Sequence, residues 1–410
     1  MPPDVLDRFL RYVKIHTTSK EGVDTIPSTA HQFNLAHLLV KELKELGLEN
    51  ARVDDHCYVL ATLPSNIDIE VPTICLLAHM DTSPEESGEN VKPQVIKNYD
   101  GSDIVLPGNQ ELIISAKEDP ALKKYIGSDI VTSDGTTLLG GDDKAGVAEI
   151  MAAIAMLVKS PEIKHGEIKI VFTPDEEVGN GVAALDVESL GADVGYTLDG
   201  DEMGCLENET FCASSITIKC SGYNTHPGYA IDKLVNAIRV IASIISSLPR
   251  NMAPETTEGR VGYIHPYILS EGSVNSVSLK MLLRDFEWEG IEQKFELVKS
   301  IIQKVQSQYP KAVIEDEFQE SYRNMKYKIP DYVVEYAEEA IRRAGLNPIR
   351  KPIRGGTDGA RLSYMGLPTP NIFSGAMNFH SKKEYVPVVA MEKAVETILH
   401  IIQIYVEKSE

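Results

Sequence analysis

Four short apolar runs, CYVLATL, PTICLLA, EIKIVFT and VGYTL, punctuate the first half of this 410-residue chain, and the last three lead, at once or after a single proline, into histidine or acidic residues. Runs of this length bounded by turn residues read as strands of a buried sheet. Between them, DKAGVAEIMAAIAMLVKS, starting at Asp143, has helical spacing and an acidic first turn. Earlier, Ser28 precedes TAHQFNLAHLLVKELKELG, where Phe33, Leu38, Leu39, Leu43 and Leu46 share one helical face and Gly47 can end the helix. Strands alternating with helices predict an α/β fold.

From about residue 211 the pattern changes. ASSITIKC, a helix over DKLVNAIRVIASIISSL, a strand pair ending in NSVSLKMLLRDF, a helix over EQKFELVKSIIQKVQSQ and a strand AVIEDEF follow one another. Strand, helix, two strands, helix, strand is the order of an α+β unit of ferredoxin-like type. After it, PDYVVEYAEEAIRRAG, LPTPNIF and a helix near residues 390–408 resume the alternation. The expected organisation is therefore a discontinuous domain, 1–210 and 326–410, interrupted by an inserted domain, 211–325. A chain of this length suits two domains.

Composition removes several classes of function. Hydrophobic residues at 43% and charged residues at 25% are the balance of a folded globular protein. The formal net charge of -21, with no dense cluster of Lys and Arg, argues against a nucleic-acid partner. No stretch approaches the roughly 18 apolar residues that span a bilayer, so no membrane association is expected. The N-terminal MPPDVLDRFLRYV is amphipathic and lacks the basic-then-apolar layout of a signal peptide. Five cysteines without CxxC spacing suit reduced thiols, and the expected location is the cytoplasm.

The ends of the apolar segments carry the candidate chemistry. His79 and Asp81 close PTICLLAHMD; Asp142 and Asp143 follow a glycine pair in LLGGDDKAG; Asp175, Glu176 and Glu177 close VFTPDEE; Asp199 closes YTLD. Taken singly, each fits an ordinary turn or helix cap, and Asp143 can be explained as a cap alone. Taken together, they predict convergence at the carboxyl ends of the strands, where open α/β sheets place their sites. Two like charges ~4 Å apart repel by about 4 kcal/mol at an effective dielectric of 20, and a divalent cation is the natural compensation. Mixed imidazole and carboxylate donors without thiolates suit a catalytic zinc or similar transition metal. His380 in NFHSKKEY, again shortly after an apolar segment, completes the donor set.

The stretches HMDTSPEESGENVKP, LLGGDDKAGVAEIM, FTPDEEVG, THPG, KPIRGGTDGARLSYMGLP and NFH, in this order, resemble the tripeptide aminopeptidase branch of the aminoacylase-like dinuclear zinc exopeptidases. The resemblance covers essentially the whole chain, with one departure, Gly141 where alanine is expected. It implies a zinc-exopeptidase-like catalytic domain with the insert as a lid, and two zinc ions per subunit, replaceable by another divalent transition metal. His79 and Asp199 would hold one ion, Glu177 and His380 the other, and Asp142 would bridge them. Asp81 would orient the His79 ring, Glu176 would be the general base, and His226 in NTHPG would stabilise the oxyanion. Arg354 in RGGTDG is a candidate for a substrate carboxylate, Asn378 for a substrate hydrogen bond, and Asp175 for a substrate ammonium. The implied activity is release of the N-terminal residue of a tripeptide. The alternative is a metal-dependent deacylase or carboxypeptidase acting on N-acyl amino acids or dipeptides. The expected partner is a small peptide, with a homodimer formed through an exposed sheet edge of the insert.

Overall fold

The computed structural model describes residues 4–410 and resolves two compact units. One runs to Asn208 and resumes over Lys328–Lys351 and Thr357–Glu410; the other comprises Glu209–Tyr327 and Pro352–Gly356. The short segment Pro352–Gly356, which carries Arg354, thus belongs to the second unit although the sequence around it reads as part of the first.

The first unit is built on an eight-stranded mixed sheet. Its centre is three parallel strands, Ile168–Thr173, Ile74–His79 and Val194–Gly200. All six residues of Ile74–His79 are buried, as expected of a strand covered on both faces. Side chains alternate between the faces. Cys75, Leu77 and Val171 join a cluster with Val182, Leu362 and Leu367, while the helix Gly141–Lys159 packs against Ile74–His79 and Val194–Gly200. That helix is buried almost all round, because the helices Val5–Tyr12 and Val388–Ser409 also pack on it. Register then decides where the acids go. His79 pairs with Thr173 and Leu77 with Thr197, so His79, the turn after Thr173 and Asp199 emerge at one end of the sheet.

A smaller sheet secures the other donor. Tyr385–Pro387 pairs antiparallel with Ile130–Thr132, which pairs in turn with Gln94–Ile96. The loop containing His380 is held just before this strand.

The N-terminal helix that the sequence predicts begins at Gln32, not just after Ser28. Ser28 is occupied elsewhere: its N–H and hydroxyl both donate to the Asp175 carboxylate at 2.5 Å. At the other end Gly47, with φ +94°, turns the chain away from the helix.

The second unit contains Cys212–Ser221, Ala237–Ser247, Tyr263–Ser270, Ser276–Asp285, Trp288–Gln308 and Val313–Tyr322. The four strands form an antiparallel sheet in the order Tyr263–Ser270, Ser276–Asp285, Cys212–Ser221, Val313–Tyr322. Ile216, Ile218, Leu279 and Leu283 form its core with Ile241 and Val298 from the two helices. The first helix starts five residues later than the periodicity of DKLVNAIRV predicts. Val235 is held in a bridge to Tyr223, and Asn236 caps the helix by accepting from the N–H groups of Ile238 and Arg239.

Candidate metal centre

The carboxylate of Asp142 stands between two imidazoles. One oxygen, Oδ1, lies 2.9 Å from Nε2 of His79, and the other, Oδ2, lies 3.3 Å from Nε2 of His380. Asp199 Oδ1 approaches the same His79 nitrogen at 3.6 Å, and Glu177 Oε2 approaches the same His380 nitrogen at 2.8 Å. The five donors therefore divide into two sets sharing one carboxylate. His79, Asp142 and Glu177 offer ligand atoms within 4.8 Å of one another.

The electrostatics follow from packing these groups together. Burial alone would lower the pKa of both histidines, but the carboxylates around them prevail. His79 is raised well above its usual value by Asp142, Asp199 and Asp81, and His380 is raised to about 11 by Asp142 and Glu177. Asp142 is held below the usual carboxylate range, the two imidazoles outweighing its burial. Burial pushes Glu177 up to about 8 and Asp199 to about 6, with Asp142 adding to both. Protons on the histidines thus supply the positive charge that these carboxylates require.

Whether the residues fit a cation can be judged from the donors themselves. Glu177 Oε1 is buried without a hydrogen-bond partner, a costly arrangement unless the oxygen serves a further ligand. The donors are imidazole and carboxylate only, and all five cysteines are free and buried. Two overlapping candidate sets that can hold divalent ions, His79 with Asp143 and Asp199 and His79 with Asp142 and Glu177, fit these side chains.

Asp143 also lies within ligand distance of His79 and Asp199, but its oxygens are already committed. Oδ2 accepts the His79 backbone N–H and Oδ1 accepts the Gly146 N–H, each at 3.2 Å. It caps the helix and braces the strand end. The peptide between Asp142 and Asp143 is cis.

Asp81 is fully buried and does more than its spacing from His79 suggests. His79 Nδ1 lies 3.1 Å from the Asp81 carbonyl and 3.3 Å from its carboxylate. The same carboxylate accepts the N–H of Glu176 at 3.0 Å and of Glu177 at 3.2 Å. One side chain therefore orients a histidine and the turn Glu176–Val178. Glu176 carries a pKa raised well above the carboxylate range, by burial first and then by Asp199. Asp358, in RGGTDG, is a buried acid that sequence reasoning missed. It accepts the Thr173 hydroxyl at 2.8 Å, and burial raises it to about 7.

Two expected substrate contacts are not available in this structure. Asp175 is buried and spent on Ser28 and on Gln32, whose amide donates at 2.7 Å, so no carboxylate is left for a substrate ammonium. Arg354 gives Nη1 to the carbonyls of Gly259 and Val261 at 2.7 and 2.9 Å, and Nη2 to Thr257. Its guanidinium also lies over Phe211 and Tyr263. The expected free fork for a carboxylate is thus used inside the second unit.

Asn378, with φ +54°, donates to Asp119 at 3.2 Å and lines a cavity of about 380 Å³ with Phe379, Ser381 and Lys383. His226 lies on an exposed loop of the second unit, where Nδ1 accepts the Gly228 N–H at 3.1 Å. That bond leaves the proton on Nε2, which is free to donate.

The family model described as Peptidase family M20/M25/M40 matches residues 135–404. The chain is 49% identical to "Peptidase T" of Clostridium acetobutylicum over 99% of this chain and 100% of that one. It is 50% identical to "Peptidase T" of Halothermothrix orenii, covering 98% and 99%. Among solved structures, a tripeptidase from Staphylococcus aureus superposes with TM-score 0.77 at 26% identity, covering 98% of both chains. An aminopeptidase PepT from Bacillus cereus gives TM-score 0.76 at 26% identity and the same coverage. With two thirds of its length matched by the family model and near-full-length relatives at this identity, the chain belongs to peptidase family M20/M25/M40.

Proposed function

We propose that this chain is a tripeptide aminopeptidase that hydrolyses the first peptide bond of an unblocked tripeptide at a dinuclear zinc site. The observation that carries the reading is the Asp142 carboxylate set between His79 with Asp199 and His380 with Glu177, in a chain about half identical to full-length relatives called Peptidase T. The imidazole and carboxylate donors favour zinc, and another divalent transition metal of similar preference can replace it.

Two divalent ions held there supply Lewis-acid polarisation of the scissile carbonyl and a water that is nucleophilic near neutral pH. His79 and Asp199 form one set and Glu177 and His380 the other, joined by Asp142. Glu176 takes the proton of the attacking water on its carboxylate and delivers it to the departing amine nitrogen. Burial raises its pKa above the usual carboxylate range, so its ionised form, the one that accepts the proton, is a stronger base than an ordinary carboxylate. Asp81 keeps this cycle in register through the N–H groups of Glu176 and Glu177 and the ring of His79. His226 donates from Nε2 to the oxyanion that develops on the carbonyl.

This reading makes the second unit a lid carrying His226. Its strand order, with the first and third strands of the unit at the centre of the sheet, supports a ferredoxin-like description. Asn378 is assigned to a hydrogen bond with the peptide from the wall of its cavity. Arg354 is not given a substrate role. The strand Tyr263–Ser270, at a sheet edge with Ile268 and Leu269 exposed, supports a homodimer. Free, buried cysteines support a reducing, cytoplasmic location; among the described residues no helix is long and apolar enough to cross a membrane.

The test is Glu176→Gln in zinc-loaded protein. Turnover of a free tripeptide should fall by roughly 10²–10⁴-fold, the scale of general acid–base catalysis, while two zinc ions per chain are retained. Turnover within a few-fold of wild type would remove Glu176 from the chemistry.

A further inference from the structure

We propose that Glu384 is the positioning residue of the metal centre, holding Asp142 at the right distance from His380. The proposal rests on the reading of these two residues as ligands and adds a residue to which no role has been given.

Glu384 is 1% exposed, and both of its oxygens are used. Oε2 accepts the N–H groups of Leu139 and Gly140 at 2.8 Å each, and Oε1 accepts the N–H of Asp142 at 2.9 Å. Three of the four successive amides over residues 139–142 therefore end on one carboxylate. A carboxylate accepting backbone N–H groups makes stronger bonds than a neutral acceptor, and the segment it grips is the one that delivers Asp142.

The backbone of Glu384 is tied to the residue that follows His380. Its own N–H donates to the Ser381 carbonyl at 3.2 Å, closing the turn that begins immediately after the histidine. The next residue enters the strand Tyr385–Pro387, which is fixed by pairing with Ile130–Thr132. One residue thus links, by its side chain on one side and its own N–H on the other, the segments carrying two donors that are more than two hundred residues apart in sequence and 3.3 Å apart in space.

The glycine pair before Asp142 is shaped to this grip. A Cβ on Gly141 would meet Val386 Cγ2 at 2.5 Å and Glu384 Oε1 at 3.0 Å, and Gly140 has φ +82°. The absent side chain at 141 lets the backbone lie close to the carboxylate.

Glutamine cannot reproduce these bonds. It has one acceptor oxygen, and its amide NH₂ would face a backbone N–H, donor against donor. Glu384→Gln therefore releases either Asp142 or the Leu139–Gly140 pair with little change in side-chain volume.

The experiment titrates metal-free wild type, Glu384→Gln and Glu384→Asp with zinc by competition calorimetry and with cobalt(II) by visible absorption. Amide exchange over residues 139–142 and thermal unfolding of the metal-free proteins are measured in parallel. For Glu384→Gln we expect metal affinity lower by about 10–100-fold, the range seen when a group supporting a metal ligand is removed. An altered cobalt spectrum, faster exchange at 139–142 and a near-unchanged melting temperature should accompany it. Activity should return in part at saturating metal with KM little changed. Glu384→Asp, which keeps both acceptor oxygens on a shorter arm, should fall between the two.

Affinity within twofold of wild type with an identical cobalt spectrum would overturn the proposal. So would outright unfolding of metal-free Glu384→Gln, which would make Glu384 a residue of the fold and not of the site. Wild-type protein that takes up no metal would instead overturn the reading of the site itself.

Discussion

Loading the site with metal should expel protons, and the structure indicates how many. His380, raised to about 11, and Glu177, raised to about 8, both favour their protonated forms at pH 7. His79, raised well above its usual value, holds a third proton. Each must leave before its nitrogen or oxygen can ligate a cation. Full loading at pH 7 should therefore release about three protons from the protein, two of them from the His380–Glu177 set. The assay is zinc calorimetry of the metal-free protein in buffers of different ionisation enthalpy; the dependence of the observed heat on that enthalpy gives the proton count. The logarithm of the affinity of the His380–Glu177 set should rise by about two per pH unit well below pH 8, the slope falling toward about one above it. Ionisation of bound water can only add to these counts. Fewer than two protons at pH 7 would refute the assignment of His79, His380 and Glu177 as a ligand set protonated in the absence of metal.

Two further predictions concern residues outside the reacting groups. Glu149 is buried in the helix Gly141–Lys159 with both oxygens unpartnered, and burial raises its pKa well above 4.5. The native state keeps this proton while the unfolded chain loses it above pH 4.5, so stability drains by up to about 1.4 kcal/mol per pH unit as pH rises above that value. Glu149→Met should remove this slope and gain most at alkaline pH. Urea unfolding of the metal-free proteins at pH 5 to 8 checks this, and parallel stability curves for the two proteins would contradict it. Arg354→Lys should lower unfolding stability by roughly 1–3 kcal/mol, since lysine cannot reproduce the bonds to Thr257, Gly259 and Val261. The ratio of KM for a tripeptide to KM for its C-terminal amide should stay unchanged; a selective rise for the free carboxylate without loss of stability would restore Arg354 to substrate binding.

The sequence displayed the central sheet because its strands are continuous apolar runs, and the acids stand out as the polar residues closing them. His79, Glu177 and Asp199 lie at one end of the sheet because register follows from those runs. Short strands such as Gln94–Ile96 and Ile130–Thr132 are too brief to show a period, so the small sheet that fixes the His380 loop was not legible. Residues that serve distant backbone are also hard to read from sequence. Asp175 looked like a substrate contact until Ser28, 147 positions earlier, was found on it. Arg354 looked free because its partners lie 93 to 97 residues away. Glu384 carries no local signal at all, since the amides it accepts are 242 to 245 positions back. A buried carboxylate engaged with remote N–H groups looks the same in sequence as one awaiting a ligand.

The most direct test of the account is hydrolysis, by the zinc-loaded protein, of an unblocked tripeptide, its N-acetylated form and the dipeptide made from its first two residues, with products identified by mass. The account predicts selective cleavage of the free tripeptide after its first residue, leaving an intact dipeptide. Preferential hydrolysis of the N-acetylated substrate, or release of the C-terminal residue, would contradict the aminopeptidase assignment and favour a deacylase or carboxypeptidase built on the same site.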